Sequence, residues 1–109
     1  MLEPIIGSRI RELILIYIAA RKNGYAREIA KYYNIDLSPV QNQLVRLEEG
    51  NVLVSQFSGK TRVYSFNPRY PFLRELLALL DKMISFLPEN EKNELLMNRR
   101  RPRRQDKPL

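Results

Sequence analysis

Three amide side chains and one guanidinium side chain occur within the short segment SPVQNQLVRL at residues 38–47. Val40, Leu44 and Leu47 recur at i, i+4 and i+7, which predicts one apolar stripe along a helix. Gln41, Asn42 and Arg46 point away from that stripe. Amides both donate and accept hydrogen bonds towards base edges, and Arg pairs with guanine or phosphate, so this face suits a DNA major groove. An ordinary solvated helix face is the alternative interpretation.

Three helix-start signals coincide at the head of this segment. Ser38 is a favoured N-cap residue, Pro39 suits the first helical position, and Gln41 stands three residues after the cap. The sequence therefore predicts that a helix begins at Ser38. We expect Gly50 to close the same helix at a C′-like position.

The elements around this helix follow a recognisable order. Ser8 is a candidate N-cap for a helix over residues 9–22, and apolar spacing predicts a second helix of about eight residues that ends near Asn34. After the helix from Ser38, β-branched and aromatic runs at 52–57 and 62–66 flank a four-residue turn and predict a hairpin. Two short helices followed by a hairpin are typical of a winged helix-turn-helix, a mainly α fold with a small β-hairpin.

The tip of the predicted hairpin is basic. Lys60 and Arg62 stand there beside small residues. A slim basic loop next to a groove-reading helix is suited to contact phosphates or the minor groove. Since hairpin tips are commonly polar, a purely solvating role is the alternative.

Composition narrows the range of functions. The 109 residues suit one domain, and the absence of Cys and His excludes disulfides, thiolate or imidazole metal sites and His acid–base chemistry. No GxxxxGK[ST] loop or paired carboxylate motif occurs, so we expect neither an enzyme nor a cofactor or metal site. The apolar runs are too short for a membrane span, and we expect a cytoplasmic protein. Residues 99–109 carry a net charge of +5 and residues 1–98 only +2.

The run from Ile6-Gly7-Ser8-Arg9 to Asn67-Pro68 and the following Pro71-Phe72 resembles winged-helix regulators of the ArsR-like superfamily. The resemblance is strongest to a subgroup often associated with small nucleotidyltransferase domains. Matching segments are Arg27-Glu28-Ile29-Ala30, residues 38–47, Glu49-Gly50-Asn51 and Arg62-Val63-Tyr64. The resemblance implies sequence-specific DNA binding through the segment from Ser38, with support from other basic residues. The implied DNA-binding residues are Arg27, Ser38, Gln41, Asn42, Gln43, Arg46, Lys60 and Arg62.

A long apolar helix is predicted after the prolines, over residues 72–87. Its surface and that of the helix over 9–22, which is apolar nearly all round, exceed what a small domain is expected to cover. We therefore predict a symmetric homodimer through these two helices. A monomer that buries one face of each helix is the alternative. The predicted dimerisation residues are Leu15, Ile16, Leu73, Leu76, Leu80, Met83 and Leu87.

These predictions divide the chain into three parts. Residues 1–87 form a winged helix-turn-helix with its C-terminal dimerisation helix, residues 88–98 a short terminal helix, and residues 99–109 a basic disordered tail. The leading hypothesis is a homodimeric regulator of transcription that binds double-stranded DNA, with repression as the expected effect. The alternative is a protein-interaction module that docks on another protein, such as a separately encoded nucleotidyltransferase. RNA binding through the Arg-rich tail is a third hypothesis.

Overall fold

The computed structural model describes residues 1–97, which form six helices and one antiparallel hairpin. β1 and β2 are in register with Ser58 opposite Thr61, so a two-residue turn joins them. The mainly α fold with a small hairpin that the sequence predicts is confirmed. In chain order the elements are α1 (Glu3–Ile6), α2 (Arg9–Arg21), α3 (Ala26–Tyr33), α4 (Leu37–Glu49), β1 (Leu53–Ser58), β2 (Thr61–Phe66), α5 (Leu73–Ser85) and α6 (Glu89–Met97).

Helix α2 is the centre of the core. It begins as predicted, because the Ser8 hydroxyl accepts a hydrogen bond from the Arg11 backbone amide at 3.2 Å. Every other helix and the hairpin strand β2 contact it. Leu15 and Ile16, which we expected at a subunit interface, are each 3% exposed inside this one chain. That assignment is corrected, since other helices of the same chain cover these two side chains.

Helices α3 and α4 form the helix-turn-helix. Asn34 ends α3 in the left-handed conformation, φ 56°, which Asn tolerates better than most residues. Helix α4 begins at Leu37, and its N-cap is Asp36 rather than the predicted Ser38. Pro39 is still tolerated in the first turn, because the first four helical amides have no partner within the helix. The predicted role of Gly50 is also corrected: the left-handed residue that closes α4 is Asn51, φ 67°.

The hairpin is fastened to the helical core at its base. Leu53 and Tyr64 are buried, and Tyr64 exchanges two backbone hydrogen bonds with Gly24 in the loop between α2 and α3, at 2.8 and 3.0 Å. A Cβ atom at Gly24 would lie 3.0 Å from the Tyr17 ring, which explains why the smallest residue stands here. The loop, the hairpin and the core residue Tyr17 are therefore packed together.

Helix α5 lies on α2 and buries one side. Leu80 is 0% exposed and Met83 8%, so these two predicted dimerisation residues belong to the core of the single chain. Leu73, Leu76 and Leu87 are half-buried. The apolar pattern was assigned to a subunit interface because the sequence alone does not reveal how much of it α2 covers.

Helix α6 is held against the core by one arginine. Arg21 donates hydrogen bonds to the backbone oxygens of Leu95 and Glu94, at 2.9 and 3.3 Å, and to the Tyr17 hydroxyl at 2.8 Å. Its guanidinium also lies 4.7 and 4.8 Å from the ring centroids of Tyr17 and Tyr32. Arg21 thus joins α2, α3 and α6.

The basic tail predicted for residues 99–109 lies outside the described residues, and so does the last residue of the helix predicted for 88–98. None of the helices within residues 1–97 is both long and apolar enough to cross a membrane.

Candidate nucleic-acid interface

Helix α4 presents a polar face to solvent. Its apolar stripe is buried as predicted, with Val40 and Leu44 at 0% and Leu47 at 7% exposure. This stripe anchors α4 to α2 and α3 and turns the opposite side outward. The outward residues of the predicted site are Ser38, Gln41, Asn42 and Arg46. Hydrogen-bonding groups therefore stand on this helix with none of residues 1–97 in front of them.

Val45 lies between these polar residues and is 41% exposed. An apolar side chain on a groove-reading face can contact the methyl group of thymine. Glu49 lies exposed at the far end of the same helix. Its carboxylate makes that end of α4 the less favourable one for a phosphate backbone.

Gln43, another predicted DNA-binding residue, is held by a hydrogen bond within the chain. Its Oε1 atom accepts a hydrogen bond from Arg11 Nε at 2.9 Å, and the same guanidinium donates to the backbone oxygen of Ile6 at 3.1 Å. Gln43 thus fastens α4 to the junction of α1 and α2. The sequence contains a signal for this position, since Gln43 is three residues after Val40 and four before Leu47 and so borders the buried stripe.

The hairpin forms a wing beside α4. Gly59 adopts φ 64° in the turn, a conformation that favours Gly, and Lys60 is the second residue of this two-residue turn. Lys60 is exposed and makes no ion pair with any of residues 1–97. Its ammonium is free to meet a phosphate.

Arg62 is held by α4 instead. One guanidinium nitrogen lies 2.8 Å from Glu48 Oε1, and Nε donates to Ser55 Oγ at 3.0 Å. Ser55 Oγ in turn donates to Glu48 Oε2 at 2.8 Å. This closed network fixes the wing against the C-terminal half of α4. It also offsets much of the charge that Arg62 would otherwise offer to a phosphate.

An open groove of about 670 Å³ separates α4 from the wing. Three of its lining residues are cations and none is a carboxylate. Arg27 enters from the first turn of α3, at the positive end of that helix. The lining residues are Tyr25, Ala26, Arg27, Gln41, Leu44, Val45, Lys60, Thr61, Arg62 and Tyr64. The structure therefore brings four of the predicted residues, Arg27, Gln41, Lys60 and Arg62, to one basic concavity.

Sequence reasoning missed a buried charge elsewhere. Glu12 is 1% exposed, and its Oε2 accepts hydrogen bonds from the Leu2 amide at 3.2 Å and the Met1 ammonium at 3.3 Å. The other oxygen, Oε1, has no partner within the described residues. A buried carboxylate is costly without such partners. Glu12 fastens the N-terminal segment onto α2, beside a cavity of about 400 Å³.

Three tyrosines fill the space between α2 and α3. Tyr17, Tyr32 and Tyr33 meet edge to face, with ring centroids 4.8 to 6.2 Å apart. Burial raises the pKa of Tyr17 from 10.0 to about 12, and the Glu28 carboxylate adds to the shift while Arg21 opposes it. Burial also raises the pKa of Tyr33. The tyrosines therefore stay uncharged near neutral pH, and they pack α2 against α3, the two helices that α4 contacts.

Comparison with solved structures shows the same fold. The chain is similar to YusO from Bacillus subtilis, with 19% identity, TM-score 0.57, and coverage of 89% of this chain and 77% of that one. It is similar to MepR, a transcription regulator of the Staphylococcus aureus multidrug efflux pump MepA, with 19% identity, TM-score 0.58, and coverage of 89% and 78%. A Lactococcus lactis ZitR mutant aligns with 17% identity, TM-score 0.54, and coverage of 84% and 69%.

No protein-family model matches the sequence, and no curated protein matches it either. The structural similarity, at less than 20% identity, establishes the fold alone. It supports the winged helix-turn-helix part of the sequence prediction, whereas the ArsR-like subgroup remains a prediction. The chain has the winged-helix architecture that MepR, a transcription regulator, also has.

Proposed function

We propose that this protein is a transcriptional regulator that binds duplex DNA as a homodimer, with α4 in the major groove and the wing on the adjacent backbone or minor groove. The observation that carries the proposal is the juxtaposition of the exposed amide face of α4 with a groove lined by three cations and no carboxylate. Similarity to the transcription regulator MepR supports the same function. By occupying an operator, such a dimer is expected to repress, and the ArsR-like subgroup stays part of this proposal.

The residues have separate roles in this proposal. Gln41, Asn42 and Arg46 read base edges, and Val45 packs against thymine methyl groups. Arg27 and Lys60 contact phosphates from the two sides of the groove. Ser38, in the first turn of α4, is exposed and its hydroxyl can donate to a phosphate. Gln43 serves structure rather than readout, because Arg11 already holds it.

Two glutamines of α4 provide a matched test. Duplexes selected from a random library serve as the specific ligand, and binding is measured by fluorescence anisotropy against random duplex. We expect Gln41→Ala to lose about 1–3 kcal/mol of specific binding and little on random DNA, since a base contact is removed. Gln43→Ala is the control of the same residue type on the same helix, and we expect its specificity ratio to remain unchanged. Equal losses on both DNAs for Gln41→Ala would argue against base readout.

The alternative of a protein-interaction module is distinguished by a simpler measurement. At low salt a basic groove binds duplexes of any sequence through phosphates. A complete lack of binding to random duplex at low salt would favour docking on another protein, such as a separately encoded nucleotidyltransferase. The tail-driven RNA hypothesis predicts that removal of residues 99–109 abolishes binding, whereas our proposal predicts only weakening.

A further inference from the structure

The cavity of about 400 Å³ beside Glu12 lies where α2, α3, α5 and α6 meet, and all four helices contribute to its wall. Most of this wall is apolar. Its aliphatic and thioether side chains are Leu13, Ile16, Met83, Leu87 and Leu95. Binding sites for small molecules in proteins commonly have this size and a mainly apolar lining with a few polar groups. The cavity therefore has the dimensions and the lining of a small-molecule site.

Glu12 supplies a buried charge to this apolar wall. It is 1% exposed, and its Oε2 atom already accepts hydrogen bonds from the Leu2 amide and the Met1 ammonium. Its Oε1 atom is also buried and accepts no hydrogen bond from any donor in residues 1–97. A buried acceptor without a donor is unfavourable, and the cost is larger when the group is charged. A donor that enters the cavity would remove this cost.

The other charges of the lining are mostly negative as well. Glu91 and Glu94 of α6 are exposed and form no ion pair within residues 1–97, whereas Arg9 is the one cationic side chain of the wall. Burial raises the pKa of Tyr32, which also lines the cavity, and the Glu94 carboxylate raises it further while Arg21 opposes the shift. The cavity therefore favours a cation and disfavours an anion. The groove between α4 and the wing has the opposite charge.

We propose that this cavity binds a small organic cation, whose ammonium or guanidinium group donates to Glu12 Oε1 and whose apolar body packs between Ile16 and Met83. Such a ligand fits both properties of the site, because its charged end satisfies the carboxylate and its body covers the apolar wall. A water molecule would satisfy the carboxylate alone. The inference does not depend on DNA binding, since the cavity and the groove beside α4 have no lining residue in common.

The same cationic group has two sources. A free small molecule is one of them. The other is this chain, because five arginines occur among residues 99–104, shortly after α6 in the sequence. The shared chemistry is a cation on an apolar stem, and the experiment distinguishes the two sources.

Three probes with the same apolar body test the preference for positive charge. Isothermal titration calorimetry of the full chain measures the dissociation constants of phenylbutylamine, phenylbutanol and phenylbutyrate, which are a cation, a neutral alcohol and an anion. We expect the amine to bind about tenfold more tightly than the alcohol, since a charged donor bonds more strongly to a carboxylate than a neutral one. We expect the anion to bind most weakly, because it meets three carboxylates.

Substitutions of glutamate assign the preference to the cavity. Glu12→Gln keeps the size of the side chain and removes its charge, so we expect the amine to lose about tenfold in affinity and the alcohol much less. Glu89→Gln, also on α6 but outside the cavity, is the matched control and leaves all three dissociation constants unchanged. Because Glu12 also holds the N-terminal segment, E91Q/E94Q provides a second test at exposed positions, and we expect roughly threefold weaker binding of the amine alone.

Replacement of the five arginines by serine identifies the source of the cation. An unchanged affinity for the amine supports a free small molecule, whereas an increase of about tenfold supports an arginine of residues 99–104 that the amine must displace. Three results overturn the proposal. These are a lack of amine binding to both chains at millimolar concentration, equal affinities for the three probes, and a preference for the amine that survives both Glu12→Gln and E91Q/E94Q. Solvent water would then be the partner of Glu12 Oε1.

Discussion

Helices α4 and α5 have the same length and bury themselves in the same way, yet their free faces are opposite in character. Each spans 13 residues and inserts one apolar stripe into the core next to α2. Beyond that stripe, α4 presents amides and a guanidinium, whereas α5 presents two phenylalanines and a leucine. Folding of residues 1–97 makes the same demand on both helices and does not account for this difference.

The free face of each helix indicates the kind of surface that it suits. Polar side chains on the free face of α4 cost the monomer nothing, and their hydrogen-bonding groups suit a hydrated groove in DNA. Large apolar side chains on the free face of α5 lower solubility without stabilising the monomer, and they are worth most when another apolar surface covers them. We therefore expect substitutions on the two faces to act on different measurements.

The largest expected effect is a difference in stability between substitutions on the buried and the exposed side of α5. Leu80→Ala removes a fully buried side chain and is expected to lower the free energy of unfolding by about 2–5 kcal/mol. Leu79→Ala, one residue earlier, is expected to cost the monomer less than about 1 kcal/mol while it weakens self-association. Urea unfolding of dilute protein, below the dimer dissociation constant, gives both values. Similar destabilisation of the monomer by the two variants would contradict the description of Leu79 as a free-face residue.

The second effect concerns the stability that the tyrosine cluster between α2 and α3 gives to the fold. The pKa of Tyr17 is about 12 in the folded chain and 10.0 unfolded, so its contribution is complete below pH 10 and is lost as pH rises towards 12. We expect Tyr17 to account for a fall on the order of 2–3 kcal/mol across this window. Urea unfolding from pH 8 to 11.5 measures the fall. Tyr17→Phe should make the fall smaller without removing it, because burial also raises the pKa of Tyr33. An unchanged pH profile in that variant would assign the whole loss to other groups.

The smallest effect concerns the wing. Lys60→Ala removes a free cation and should weaken binding to all duplexes, with the slope of log K against log salt reduced by about one. Glu48→Gln leaves Arg62 without its carboxylate partner, so we expect binding to strengthen slightly and the salt slope to rise. Anisotropy titrations at several salt concentrations compare the two variants. A decrease in affinity in Glu48→Gln would show that the Glu48 contact positions the wing more than it neutralises Arg62.

Much of the local structure was predictable because it depends on local rules. The Ser8 cap, the eight-residue helix before Asn34 and the two strands of the hairpin all follow from residues within a few positions of each other. The N-cap of α4 lies two residues before the predicted Ser38, at Asp36, whose side chain makes no capping hydrogen bond.

The errors concern contacts between residues distant in sequence. Leu15, Ile16, Leu80 and Met83 have the apolar character expected of an interface, and only the packing of α2 against every other helix shows that they are internal. The hydrogen bond from Arg11 to Gln43 spans 32 residues. Periodicity places a side chain on a face of its own helix but does not say which element covers that face. The sequence likewise predicted the basic residues of the groove one by one, but not that they line the same concavity.

The paired hydrogen bonds between Gly24 and Tyr64 have a consequence for recognition. These bonds hold the hairpin to the loop that leads into α3, and Arg62 holds it to α4. The hairpin and α4, which flank the groove, are therefore fixed relative to each other. Little backbone entropy would then be lost on binding a DNA duplex, because the width of the groove is already set in the free protein. Selectivity would consequently depend on how readily the DNA adapts its own shape to a protein that does not yield.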